Sequence, residues 1–258
     1  MFDSLAFACA LPKISHPSKM ASFGRALAGP WRLQYFPMPG APGEVVRLLL
    51  TLSGTEWKDE RVPGKDWGAL KPTTAFGCMP ILTHEDGRSL AQSRALARFI
   101  AKNASLGGGS GPLYPEDDYL AFRVDEMVDA LEDVRLVIIP TFGIADQAEK
   151  EAARAALFAT DGGGKIFEGF KRIEGLIGAD GHMVAGQFTL ADCWLFATVN
   201  AFRAGFLDGV PTSGWLEELP KLKSVVETVA AAPEVKAYYT AQAEANKTYS
   251  VFVAPARE

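Results

Sequence analysis

The chain has 258 residues, 48% hydrophobic and 22% charged, a balance that suits an ordinary globular protein of one large or two modest domains. Its formal net charge of −5 and pI near 5.4, with no basic run, argue against nucleic acid or an anionic membrane surface as the main partner. Three scattered cysteines (Cys9, Cys78, Cys193) and three scattered histidines (His16, His84, His182), with no HExxH and no Cys pair at metal spacing, speak against a disulfide framework, metal catalysis and a histidine-based triad.

No apolar run approaches the length that spans a bilayer, so a soluble protein in the reducing cytoplasm is expected. Residues 1–29 carry Lys13, Lys19 and Arg25 against a single acid, Asp3, with serines and alanines between. That composition fits an organelle-targeting segment and fits equally a disordered tail ahead of the fold.

Trp31 to Phe36 reads as a first strand, followed by a turn-rich Pro37–Gly43. Glu44 to Ser53 is apolar on most of its surface, which predicts a helix packed on more than one side and stopped by Gly54. Trp57 to Val62 is a second strand, and strand, helix, strand in this order predicts a parallel pair. Asp66-Trp67 to Lys71 is a short helix or irregular segment. Pro80 has no N–H and holds Met79 extended, with the Met79 backbone groups free to pair elsewhere. Ile81-Leu82, the turn Glu85-Asp86-Gly87 and Ser89-Leu90 read as a hairpin. Gln92-Ser93 then opens a helix with Ala95, Leu96, Phe99 and Ile100 on its apolar side, and a helix start with a hydroxyl and free N–H groups binds a carboxylate readily.

Beyond Asn103 the spacing changes. Gly107–Pro112 reads as a flexible linker, and nearly every later apolar segment has helical period. One long helix is predicted from Glu116 to about Ile139, with Val124, Met127, Val128, Leu131 and Val134 on its apolar side and Asp125, Asp129, Glu132 and Asp133 on the other. Further helices are predicted near 147–159, 164–178, 190–206, 218–231 and 233–244. Thr189 and Asp192 have the spacing of a capping box, and Asp161–Gly164 reads as a turn rather than a phosphate loop. Cys78 and Cys193 read as small apolar fillers. The fold class is therefore α/β plus all-α: βαβ, then ββα, then a helical second half. The expected divisions are an extension over 1–29, an α/β domain over 30–104, a linker over 105–116 and an all-α domain over 117–258.

Tyr35, at the carboxyl end of the first strand, is the candidate for chemistry. Its hydroxyl, pointed at a thiol, would stabilise the thiolate; the alternative is a packed strand residue with its hydroxyl at the surface.

Tyr35-Phe36, Asp66-Trp67 with Lys71, Phe76-Gly77 ahead of Met79-Pro80-Ile81-Leu82, Gln92-Ser93 and Thr189–Asp192 together resemble a cytosolic glutathione transferase. The order and spacing are most similar to the sigma class, which includes glutathione-dependent prostaglandin D synthases and lens crystallin relatives. The resemblance implies a thioredoxin-like N-terminal domain, an all-α C-terminal domain, a homodimer, and glutathione as co-substrate with no metal. It implies that Tyr35 activates the glutathione sulfur and that Phe36, beside it, is one of the glutathione-binding residues. It further implies that Trp67 and Lys71 hold the glycine carboxylate, and that Met79, ahead of a cis Pro80, pairs with the cysteinyl unit. Gln92 and Ser93 would hold the γ-glutamyl carboxylate, and Asp133 would reach the γ-glutamyl amine on the partner subunit. The second substrate would be a hydrophobic electrophile, lodged between the turn after Phe36 and the long helix.

The chain departs from that pattern at three places. Ala41 stands where prostaglandin D synthases carry an arginine, Pro140 where they carry a tryptophan, and Cys78 where relatives carry a lysine or glutamine. These departures point to general conjugation rather than prostaglandin isomerisation. They also leave open a non-catalytic binding or structural protein of the crystallin kind, or a glutathione-dependent isomerase or peroxidase.

Overall fold

The structure, a computed structural model, describes residues 27–105, 112–178, 180–184 and 186–253. Residues 1–26 of the expected extension, with its targeting question, Cys9 and His16, and most of the Gly107–Pro112 segment therefore lie outside the described residues; Leu27, the first residue described, is buried in the core, so the fold starts before residue 30.

The α/β half comprises β1 (Trp31–Tyr35), α1 (Ala41–Ser53), β2 (Trp57–Arg61), α2 (Gly64–Leu70), β3 (Ile81–His84), β4 (Ser89–Ala91) and α3 (Ser93–Ala101). The sheet runs in the order β2-β1-β3-β4, with β1 and β2 parallel and the other neighbours antiparallel. The expected βαβ unit and hairpin are both present. Leu33 and Leu82, cross-strand partners in the middle of the sheet, are fully buried. Together with Val45, Leu48, Leu49, Leu96 and Ile100 they form its core, each such side chain contributing about 1.5–3 kcal/mol. α1 begins at Ala41, earlier than the apolar pattern suggests, because Pro42 lies in its first turn, where a missing N–H costs nothing.

The helical half comprises α4 (Asp118–Leu136), α5 (Gln147–Ala156), α6 (Lys165–Glu174), α7 (Leu190–Arg203), α8 (Pro220–Ala231) and α9 (Pro233–Ala245). α7 is buried at every position from Leu190 to Phe202 and packs against α1, α4 and α8, so one helix runs through the core of this half and makes much of its contact with the sheet half, with α9 packing on α1 beside it. Its start is the predicted box: the Asp192 carboxylate accepts from the Thr189 N–H at 2.8 Å and from its hydroxyl at 2.9 Å, and also from the Met183 N–H at 2.9 Å. α4 starts two residues late, capped by Asp117, and ends at Leu136; Pro140 then lies in a separate 3-10 turn, Ile139–Gly143. The 3-10 turns Lys71–Thr73, Trp215–Glu218 and Lys247–Phe252 have no counterpart in the sequence reading, since pieces this short leave no periodic signature. The acids of α4 do not all face water. Asp125, Asp129 and Asp133 are at or near the surface, whereas Glu132 is buried against Arg135.

Candidate active site

Tyr35 closes β1, and its side chain turns back under the first turn of α1. The two glycines of that turn are shaped to it: a Cβ at Gly43 would collide with the ring, and one at Gly40 would sit 3.0 Å from the hydroxyl. The Arg47 guanidinium lies 5.5 Å from the ring centroid. Burial pushes the Tyr35 phenol up to about 12, against the downward pull of Arg135 and Arg47 and with a further push from Glu44. At neutral pH the hydroxyl therefore keeps its proton and is a hydrogen-bond donor.

That side chain lines a cavity of about 250 Å³ between the two halves. One wall is the turn after β1, with Phe36, Met38 and Pro42; a second comes from the end of α4 and the turn beyond it, with Arg135, Ile139 and Phe142. These are the surfaces expected from the sequence. The third, from the carboxyl end of α7 with Ala201 and Phe202 and from Phe206 beyond, is not. The side chains lining it are apolar apart from Tyr35, Arg135 and Thr198. Arg135 donates to both oxygens of Glu132, at 2.8 and 2.7 Å, which fixes its guanidinium; that carboxylate outweighs the effect of burial and holds the charge.

Strand register gathers three more of the predicted residues. Gln34 is paired with Ile81, and Ile81 with Ala91, so the next row at that end of the sheet is Tyr35, Pro80 and Gln92. The Met79–Pro80 bond is cis, and among the described residues no hydrogen bond engages the Met79 N–H or C=O. Gln92 has φ 73° and ψ 100°, the one non-glycine residue with positive φ among those described. A side chain is rarely held in that conformation without a local demand for it. Ser93 follows as the first residue of α3, with no side chain occupying the helix N-terminus. Phe36 joins this row to α2, its ring lying edge-on to Tyr35 at 5.6 Å and to Trp67 at 5.9 Å. Lys71, exposed, runs alongside Gly77, where a Cβ would lie 3.6 Å from the lysine Cε. Asp133 stands apart from the row, exposed on α4, with no hydrogen bond or ion pair among the described residues. Cys78 is half-buried, and burial drives the Cys193 thiol well above its ordinary range, so Cys193 is no nucleophile.

Arg135 and Arg47 are the residues that the sequence reading passed over. Both were visible as i,i+3 acid–base pairs inside otherwise apolar patterns, Glu132 with Arg135 on the border of the α4 stripe and Glu44 with Arg47 in a run of leucines and valines. Among the described residues no group of three His, Cys, Asp or Glu is placed to hold a metal ion, and no helix is long and apolar enough to cross a membrane.

The family model described as "Glutathione S-transferase, C-terminal domain" matches residues 132–242. A glutathione S-transferase of Anopheles gambiae is 30% identical over 210 residues, spanning 81% of this chain and 94% of the relative. Glutathione S-transferase 2 of Manduca sexta is 32% identical over 192 residues, spanning 74% of this chain and 87% of the relative. Among solved structures, rat hPGDS complexed with a quinoline superposes with a TM-score of 0.66 at 26% identity, covering 82% of this chain and 96% of that one.

Proposed function

The chain belongs to the glutathione S-transferase family, and on that footing we propose that it conjugates the glutathione thiolate to hydrophobic electrophiles, with Tyr35 stabilising the thiolate. The observation that carries the reading is the protonated Tyr35 hydroxyl on the wall of an apolar cavity between the two halves. A neutral phenol donating to sulfur favours the thiolate over the thiol, lowers the thiol pKa and raises the fraction of nucleophile at neutral pH. Arg135, on another wall of the same cavity, adds a positive charge that favours the same ionisation. The apolar lining takes the carbon skeleton of the electrophile and keeps water from the sulfur.

Glutathione, as co-substrate, is held in this reading along the row from α2 to α3. Trp67 and Lys71 take its glycine carboxylate, with the lysine as a solvated cation free to pair. Met79 offers its unpaired N–H and C=O to the cysteinyl unit in the manner of a short strand. Gln92 and Ser93 take the γ-glutamyl carboxylate; the unusual backbone of Gln92 and the open N-terminus of α3 support this assignment. Asp133, exposed on α4, serves the γ-glutamyl amine bound to the second subunit of a homodimer. The class is sigma-like, the glutathione-binding domain is 30–104, the helical domain 117–258, and the compartment the cytoplasm.

Retention on immobilised glutathione and conjugation of a chlorodinitrobenzene-type electrophile, measured for the native chain and for Tyr35→Phe, test the reading. The expected result is retention by both proteins and a fall in turnover of roughly a hundredfold for Tyr35→Phe, the scale of losing one aimed donor at a developing anion. Turnover unchanged in Tyr35→Phe would remove the assigned role. Retention without turnover by the native chain would identify a binding protein on this scaffold, and no retention would remove glutathione.

A further inference from the structure

The five residues after Tyr35 include two prolines, Pro37 and Pro39, and so have few N–H groups with which to fix their own shape. Their carbonyls are held from outside. Arg47 donates to the Phe36 carbonyl at 2.8 Å and to that of Met38 at 3.4 Å, and Arg61 donates to the Pro37 carbonyl between them at 3.2 Å. Arg47 also lies over the Tyr35 ring, so it touches both the ring and the turn that aims it.

Arg47 is fully buried, and a buried guanidinium is tolerated only when its charge and its donors are met. Glu44, equally buried, accepts from it at 3.0 Å, and both oxygens of Asp59 accept at 3.1 Å; Asp59 is shared with Arg61 at 2.8 Å. This ion cluster is closed by the far end of the chain. The Tyr249 hydroxyl, in the Lys247–Phe252 turn, donates to Glu44 at 3.2 Å, the Gln242 side chain of α9 accepts from Arg61 at 2.7 Å, and Arg61 stands 5.4 Å from the Tyr249 ring centroid. Tyr249 is itself locked among Tyr239 and Phe252.

We infer that Arg47 is a positioning residue for Tyr35, and that the C-terminal segment, through Tyr249 on Glu44 and Gln242 on Arg61, holds Arg47 and Arg61 where they set the Tyr35 turn. This rests on Tyr35 being the group that stabilises the thiolate. Apart from Phe36, whose carbonyl Arg47 holds, the residues assigned to glutathione lie on α2 and at Lys71 just after it, on the Met79–Pro80 loop, at Gln92-Ser93 where α3 starts and at Asp133 on α4, and no hydrogen bond of this cluster reaches them. Loosening the cluster therefore acts on thiol activation and leaves glutathione affinity alone.

The test compares Tyr249→Phe and Arg47→Lys, each made in the native chain and in Tyr35→Phe. The pKa of bound glutathione is read from thiolate ultraviolet absorption, and kcat, KM for glutathione and melting temperature are measured alongside. In the native background each substitution is expected to raise the bound-thiol pKa by about half a unit or more and to lower kcat about threefold or more near neutral pH, with KM for glutathione within about twofold. In Tyr35→Phe neither is expected to move the thiol pKa further, because the group they position is gone. An unmoved thiol pKa in the native background, however far the melting temperature falls, overturns the inference, as do equal shifts with and without the Tyr35 hydroxyl. Should Arg47→Lys fail to fold, Tyr249→Phe, which removes one hydroxyl, decides alone. If Tyr35→Phe by itself leaves the thiol pKa where it was, the role of Tyr35 has failed and this inference with it; if Tyr35→Phe shifts it and the other two do not, only the inference falls.

Discussion

Arg135 and Tyr35 line one cavity although 100 residues separate them in the chain (135 − 35), one at the end of α4 and the other at the end of β1. The guanidinium pulls the phenol pKa down against burial, while Glu132, hydrogen-bonded to it, holds Arg135 charged. In the proposed reaction, the family resemblance alone, with Ala41 where prostaglandin D synthases carry an arginine, would leave the thiolate with no guanidinium to favour it. The fold brings one from the opposite wall.

Arg135→Met keeps an unbranched, flexible side chain and removes the charge. A cation near an ionising acid shifts its pKa by about 1–3 units, and the Glu132 pairing discounts that to about one unit or less here. Removing the cation disfavours the thiolate, so the acid limb of the pH profile of kcat/KM is expected to move upward. Below that limb, activity should fall about threefold to tenfold. A pH profile that coincides with that of the native chain would leave Arg135 with no part in activation.

The fit between Tyr35 and the first turn of α1 predicts opposite outcomes for two glycines. Gly43→Ala forces the Tyr35 ring to shift and should cost about 1–3 kcal/mol, with loss of activity, as overpacking does. Gly68, inside α2 with nothing within 4 Å of an added Cβ, should tolerate alanine and gain about 0.5–1 kcal/mol. Urea melts of both variants beside the native chain check the pair.

At Gln92 function and stability are expected to separate. Gln92→Gly relieves the φ of 73° and should raise stability by roughly 1 kcal/mol or less, while weakening retention on immobilised glutathione. Gln92→Ala, which keeps the Cβ and so the strain, should lose retention without the gain. A gain in both properties for Gln92→Gly would mean that the side chain has no part in binding.

His182 supplies a pH dependence remote from the cavity. Its ring faces the buried Asp192 carboxylate at 3.5 Å, with Asp180 nearby, and these raise its pKa above the ordinary 6.5 despite partial burial. Because the folded value lies above the unfolded one, the imidazolium favours the fold. That contribution is complete below pH 6.5 and is lost as the pH rises through the folded value. The stability advantage of the native chain over His182→Asn should therefore be larger at about pH 5.5 than at about pH 8.5, measured as the difference in urea midpoint.

Much of the architecture was legible because it rests on local rules. Leu33 lies in the alternating pattern of β1 and Ile81-Leu82 reads as a short buried strand; the Glu85–Gly87 turn, Gly54 and the Thr189–Asp192 box punctuate the elements as their backbone chemistry requires. Tyr35, Pro80 and Gln92 were legible as separate residues, and strand register gathers them into one row at the end of the sheet. Glu132 shows the limit: by helical position it belongs with the exposed acids, and only the cavity beside α4 makes its burial with Arg135 intelligible.

Taken alone, then, the amino-acid order determined the two-part fold and pointed to the Met79–Pro80 loop and the Gln92-Ser93 helix start, since these follow from periodicity, turn chemistry and short-range spacing, whereas Trp67, Lys71 and Asp133 entered through the family resemblance. The tertiary structure decided what surrounds Tyr35. Arg135 from α4, the α7 wall, and the Arg47 cluster closed by Tyr249 reach it from distant parts of the chain, and the charge and burial that these contacts impose depend on packing that no local pattern encodes.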